Sequence, residues 1–153
     1  MAESPVPTNY SVLGYKYNVP PNVISTLEGT LTAHAGDLVC LDTSGQLAIA
    51  TTGSILGICL KTHTGTANTV IPVEVISSQN LYVIRAASGT TTAQANVGEL
   101  FTITFTVDGG HTAAANTTSG ADGQIMALHP EDGAKAGGRY IVRFLESALD
   151  YGA

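Results

Sequence analysis

Four histidines, two cysteines and a set of Asp-Gly turns are the residues with which this chain could do chemistry. Hydrolysis by a nucleophile would need a Ser, Cys or Thr with a base beside it and a third group to orient that base. His34, His63, His111 and His129 lie far apart beside Gly-, Ala-, Thr- or Pro-rich stretches, and no two share a spacing suited to a metal. They read as turn or loop residues. Cys40 and Cys59 sit inside the apolar runs LVCL and GICL, which predicts small core side chains. Apolar neighbours would raise the Cys40 thiol's pKa, which argues against a nucleophile. Asp42, Asp108, Asp122 and Asp132 each lie shortly before a glycine, the pattern that tight turns require. Calcium would need the denser Asp/Asn pattern of an EF-hand loop or a Gly/Asp nonapeptide repeat, and phosphate would need a glycine-lysine loop. The sequence offers no catalytic constellation, no metal site and no cofactor motif. We therefore expect a protein that is not an enzyme.

The elements that must position these residues are strands. Gly, Pro, Thr, Val and Ile are abundant, and charged residues make up only 12% of a 153-residue chain that is 44% hydrophobic. The stretch from Gly36 to Thr62, GDLVCLDTSGQLAIATTGSILGICLKT, reads as three short apolar strands joined by two compact turns. A second meander opens at Gly98-Glu99-Leu100-Phe101, where the first opens at Gly36-Asp37-Leu38-Val39. In it, Phe101, Ile103, Phe105 and Val107 alternate with threonines, and Gln124 to Leu128 matches the Gly57 strand of the first. Pro72 within Val70 to Ile76 suggests an edge strand. The expected fold is all-β, a small β-sandwich or barrel built from two similar β-meander halves, about 30–85 and 92–145, within a domain spanning 28–153. A single helical turn is expected over Ser147 to Tyr151.

Residues 1–27 differ from the rest, holding four of the six prolines and three of the six tyrosines. Proline favours an extended path, and tyrosine suits an arm laid along another surface. Tyr10, Tyr15, Tyr17, Pro20 and Pro21 are the candidate contact residues of such an N-terminal arm. Deleting residues 1–25 is expected to leave the fold intact and to weaken assembly. The net charge of −6, with six Lys and Arg scattered singly, gives no basic stripe for phosphates, so no nucleic-acid partner is expected. The N-terminus lacks the pattern of a signal peptide, and no apolar run approaches the roughly 20 residues that cross a bilayer. Synthesis in the cytoplasm and no membrane partner are the expectations.

Gly36-Asp37-Leu38-Val39, the Asp42 to Gly45 turn, Gly57-Ile58 and the strand Val73-Glu74-Val75 together resemble the small β-rich head-decoration, or capsid-cement, proteins of tailed bacteriophages. Gly98-Glu99-Leu100-Phe101 and Tyr140-Ile141-Val142 repeat the outline in the second half. The likeness covers roughly residues 30 to 145 and leaves out the Pro/Tyr-rich start. It implies a virion protein on the outer surface of the head, a homo-oligomer and in many cases a homotrimer, whose partner is the major capsid protein. The job fits the composition, since repetition on a shell multiplies weak contacts. The alternative is a receptor- or glycan-binding module of a phage fibre or adhesin, which exposed aromatics would favour and the lack of Trp disfavours.

Overall fold

A computed structural model describes residues 12–27, 32–51, 54–64, 68–87, 89–106, 110–115 and 118–149. They form thirteen strands and two short 3-10 turns, at Gln94–Asn96 and Glu146–Ala148. The second of these gives the single turn expected near the C-terminus, a few residues early. The strands are β1 (Leu13–Lys16), β2 (Asn22–Leu27), β3 (Thr32–Ala33), β4 (Leu38–Leu41), β5 (Leu47–Ile49), β6 (Gly57–Cys59) and β7 (His63–Thr64). There follow β8 (Val70–Val75), β9 (Leu81–Ala86), β10 (Leu100–Thr106), β11 (Gly110–Ala115), β12 (Gly123–Leu128) and β13 (Arg139–Phe144). The all-β expectation holds.

The second half closes into a five-stranded barrel. Its order is β9-β11-β10-β12-β13, and β13 pairs back onto β9. The first half is a five-stranded sheet of order β2-β8-β6-β4-β5, with β3 and β7 paired separately. The two halves are the same construction. Each opens with a turn whose third residue, Gly36 or Gly98, takes the positive φ that glycine tolerates. Gly36 N–H donates to Cys59 O and Cys59 N–H to Asp37 O. Gly98 N–H likewise donates to Ile125 O, and Ile125 N–H to Glu99 O. Val39 faces Gly57 in one half as Phe101 faces Gly123 in the other. By register β2 is the counterpart of β9 and β8 of β13. The boundary between the halves therefore falls at the turn before Leu81, so that β9, which the sequence places in the first half, belongs to the barrel.

Equivalent positions fill equivalent cores. Val39, Leu47, Cys59, Ile71 and Val73 line the inner face of the open sheet. Their counterparts Phe101, Ala113, Ile125, Tyr140 and Val142 fill the barrel. Leu38 and Ile58, on the opposite face of the first sheet, join the barrel residues in one cluster, so one half packs against the other. Cys40 packs on that same side while Cys59 lies in the other cluster, and neither is in a disulfide. His111 ties the junction. Its Nδ1 accepts the Leu38 N–H at 3.1 Å while Nε2 faces Ala50 O at 2.8 Å, which makes Nε2 the protonated nitrogen. A buried strand residue thus replaces the turn or loop role expected for this histidine.

Two further expectations change. Pro72 is not on an edge strand, since β8 lies between β2 and β6. It is tolerated because β6 ends at Cys59, and Leu60 N–H still reaches the Pro72 carbonyl at 3.1 Å. Residues 12–27 are extended, as the prolines suggest, but they supply two strands of the domain, β1 and β2, rather than an arm laid along another surface. β1 pairs with β9 and β2 with β8. Val12 is fully buried in the main core. Asn80, also buried, accepts the Asn18 and Val19 N–H groups at 2.8 and 2.9 Å and donates to Val19 O. Deleting residues 1–25 would remove a buried valine, one strand and most of another, so it would not leave the fold intact. Tyr10 lies outside the described residues, as does Asp108.

Candidate functional site

Tyr15 and Tyr17 converge on one groove of about 670 Å³. That is within the roughly 300–1,000 Å³ of small-ligand sites. Leu13, Gly14 and Tyr15 of β1, with Tyr17 just after it, line the groove together with Val83 of β9. His129, Pro130 and Glu131, just after β12, face it together with Arg139, and Glu74 closes one end. A register shift between Gly14 and Lys16 interrupts the β1–β9 ladder at Tyr15. Such an irregularity re-aims a side chain. The Tyr15 ring meets His129 edge-on at 6.1 Å. Tyr17 folds over Gly14, where any Cβ would collide with its ring, and packs edge-on against Tyr82 at 6.4 Å.

Polar groups fix both ends. The Tyr17 hydroxyl donates to Glu74 Oε2 at 2.8 Å. Burial first, then that hydrogen bond and the Glu74 charge, push the Tyr17 phenol well above its usual pKa. At the other end Arg139 grips Asp132 with Nε to Oδ2 at 2.8 Å and Nη2 to Oδ1 at 3.0 Å, and reaches Glu131 at 3.3 Å. The hydrogen bond from Arg139 is the chief reason the Asp132 carboxyl lies below its ordinary pKa, and it outweighs the opposing effect of burial. Tyr15 and Tyr17 keep 46% and 42% of their surface exposed, so the rings are fixed at one edge and open at the other.

Of the other sequence candidates, Pro20 and Pro21 are exposed on the link between β1 and β2, outside the groove. The acids before glycines divide into different roles. Asp42 does serve a turn, its Oδ1 accepting the Ser44 and Gln46 N–H groups. Asp122 is instead buried and accepts the Ile103 N–H at 2.8 Å, and Asp132 is an ion-pair partner. His111 and Asp37 approach to 3.8 Å, but both side chains are sealed from solvent, so no substrate reaches them. Among the described residues no group of three or more His, Cys, Asp or Glu is placed to hold a metal ion. No helix among them is long and apolar enough to cross a membrane.

Sequence reasoning found the two tyrosines and missed Glu74, His129 and Arg139. These lie far along the chain: β9 sits between β1 and β13 and so sets Arg139 near the tyrosines, His129 N–H bonds the Arg139 carbonyl, and Glu74 on β8 is tied in by the Tyr17 hydroxyl. The alternating pattern of the last strand could have located Arg139 on a sheet face, but nothing local pairs it with Tyr15. No protein-family model matches the chain, and no curated protein matches it either.

Proposed function

We propose that this chain is a structural virion protein that binds the outside of a phage capsid and stabilises it by bridging major capsid protein subunits, with no catalytic role. One observation carries the reading. Leu13, Tyr15, Val23 and Ile24 are exposed large side chains on strands already held by pairing, and exposed Tyr17 is tied by its hydroxyl to Glu74. Binding through residues fixed in advance loses little conformational entropy, and tyrosine supplies large contact area with a polar tip. The low charge and the resemblance to capsid-cement proteins support the same reading, and with it a homo-oligomer on the outer surface of the head.

The test is to mix the purified chain with undecorated heads and sediment them. Co-sedimentation is expected, and Tyr15→Ala should weaken it. No binding to expanded heads at any salt concentration would sink the proposal. The groove itself favours a second reading, a receptor- or glycan-binding module, because two tyrosine rings and two glutamates border a ligand-sized space. A glycan array showing no binding removes that alternative.

A further inference from the structure

Among the described residues, β2 ends its sheet with one edge unpaired. In the barrel, the edge of β9 that faces away from β13 is covered by β1 along Leu81–Val83 and by β11 at Arg85 and Ala86. The counterpart of β9 is β2, which pairs with β8 along all six residues. Among the described residues no strand lies on its other edge.

The register says which backbone groups are free. Leu60 N–H donates to Pro72 O, and Ile76 N–H donates to Leu56 O, so Pro72, Glu74 and Ile76 turn their backbone groups towards β6. Alternate residues Ile71, Val73 and Val75 then face β2, where they meet Thr26, Ile24 and Asn22. Val23, Ser25 and Leu27 turn their N–H and C=O groups outwards. The strand carries none of the usual protections of an edge, since NVISTL has no charge and no proline. Its Val23 and Ile24 side chains are 59% and 39% exposed.

We propose that β2 is an association edge that pairs antiparallel with β2 of a second copy of this chain about a twofold axis through Ser25. That register sets Val23 against Leu27 of the second copy and Ser25 against its own equivalent. Every outward-facing residue then meets an outward-facing residue, which a one-residue slip destroys. Two chains of net charge −6 meet where neither strand carries a charge, so the contact avoids like-charge repulsion at close range. Ile24 falls opposite Thr26 of the second copy, a β-branched pair of the kind that stabilises sheets. The pairing gives β2 the neighbour that β9 finds within its own chain.

This inference does not rest on shell binding and is measured with no shell present. Light scattering on the full-length chain should give a two-chain mass. Ser25→Pro removes an outward N–H without touching the bonds to β8, and should weaken the dimer on the order of a hundredfold with an unchanged circular dichroism spectrum. A one-chain or three-chain mass for the unmodified protein overturns the proposal, as does a two-chain mass that survives Ser25→Pro. Should that variant not fold, hydrogen exchange on the unmodified chain decides. Slow exchange at the Val23, Ser25 and Leu27 amides, becoming faster on dilution, supports the pairing, and fast exchange at all concentrations overturns it.

Discussion

The open sheet and the barrel are built on one plan, yet they are held together differently. In the barrel each strand has two neighbours, and the interior is filled by rings. Phe101 and Phe144 meet edge-on at 5.9 Å, and Tyr82 and Phe144 at 5.7 Å. The corresponding residues of the first half are Val39, Val75 and Ile24, which are smaller, and β5 is three residues long where β11 has six. Less volume inside and a shorter edge strand leave the first half open. Its outer face compensates: Leu38 and Ile58 are buried against the barrel, whereas their counterparts Leu100 and Gln124 are only half-buried. The barrel is self-sufficient and the open sheet leans on it.

The sharpest way to break this contrast is to truncate equivalent residues. Phe144→Ala should cost about 3–5 kcal/mol, as expected for a fully buried ring. Val75→Ala, at the counterpart position, should cost about 1 kcal/mol, because fewer methyl groups are lost from a half-buried site. Urea denaturation of both variants measures the difference, and equal costs would mean that the halves are energetically alike.

Next in size is the exchange of a residue for its own counterpart. Leu56 and Asp122 occupy the same position, donating N–H to Val39 O and Phe101 O respectively. Asp122→Leu should destabilise the barrel by about 1–3 kcal/mol, because the buried Ile103 N–H loses its acceptor. An unchanged midpoint would show that the carboxylate is dispensable there.

Asn80→Ala probes the link that carries β1 into β2. It removes the acceptor of two N–H groups and the donor to Val19, and should cost about 1–3 kcal/mol. Limited proteolysis between Asn18 and Pro21 should speed up in this variant, and an unaltered cleavage rate would place the anchor elsewhere.

The smallest effect is acid sensitivity confined to one half. Asp132 is held below its ordinary pKa by Arg139, and position 139 has Val70 as its counterpart, which carries no such pair. A depressed folded-state pKa gives stability that is fully present above the unfolded carboxylate value of about 4 and is lost as pH falls through the folded value. Amides from His129 to Arg139 should therefore exchange faster in acid before those of β4 and β6 do. Asp132→Asn should remove that difference between the halves.

Much of the architecture was legible because it is local. Alternating Thr and apolar residues mark β10, and the Gly36 and Gly98 starts mark the duplicated turns. What stayed hidden is pairing at long range. Nothing in LGYK or NVISTL says that these strands lie on β9 and β8, since residues 13–16 and 22–25 are all exposed and carry no amphipathic signal. For the same reason the groove showed only its tyrosines. His111 looked like a turn residue because glycines precede it, and its role depends on Leu38 and Ala50, in the other half. Closure was equally invisible: one parallel contact, Thr112 with Arg85 and Ala113 with Ala86, separates a barrel from an open sheet.

The pairing of β9 with β13 also sets an order of assembly. Every strand of the open sheet has been synthesised by Val75, so that half can begin to form early. The barrel's opening strand must wait for Arg139 to Phe144 before its ring can close. Until then the cluster that Leu38 and Ile58 share with Tyr82, Phe101 and Phe144 stays incomplete. A ribosome stalled before residue 139 would therefore display a partly uncovered apolar cluster rather than a half-finished but inert domain.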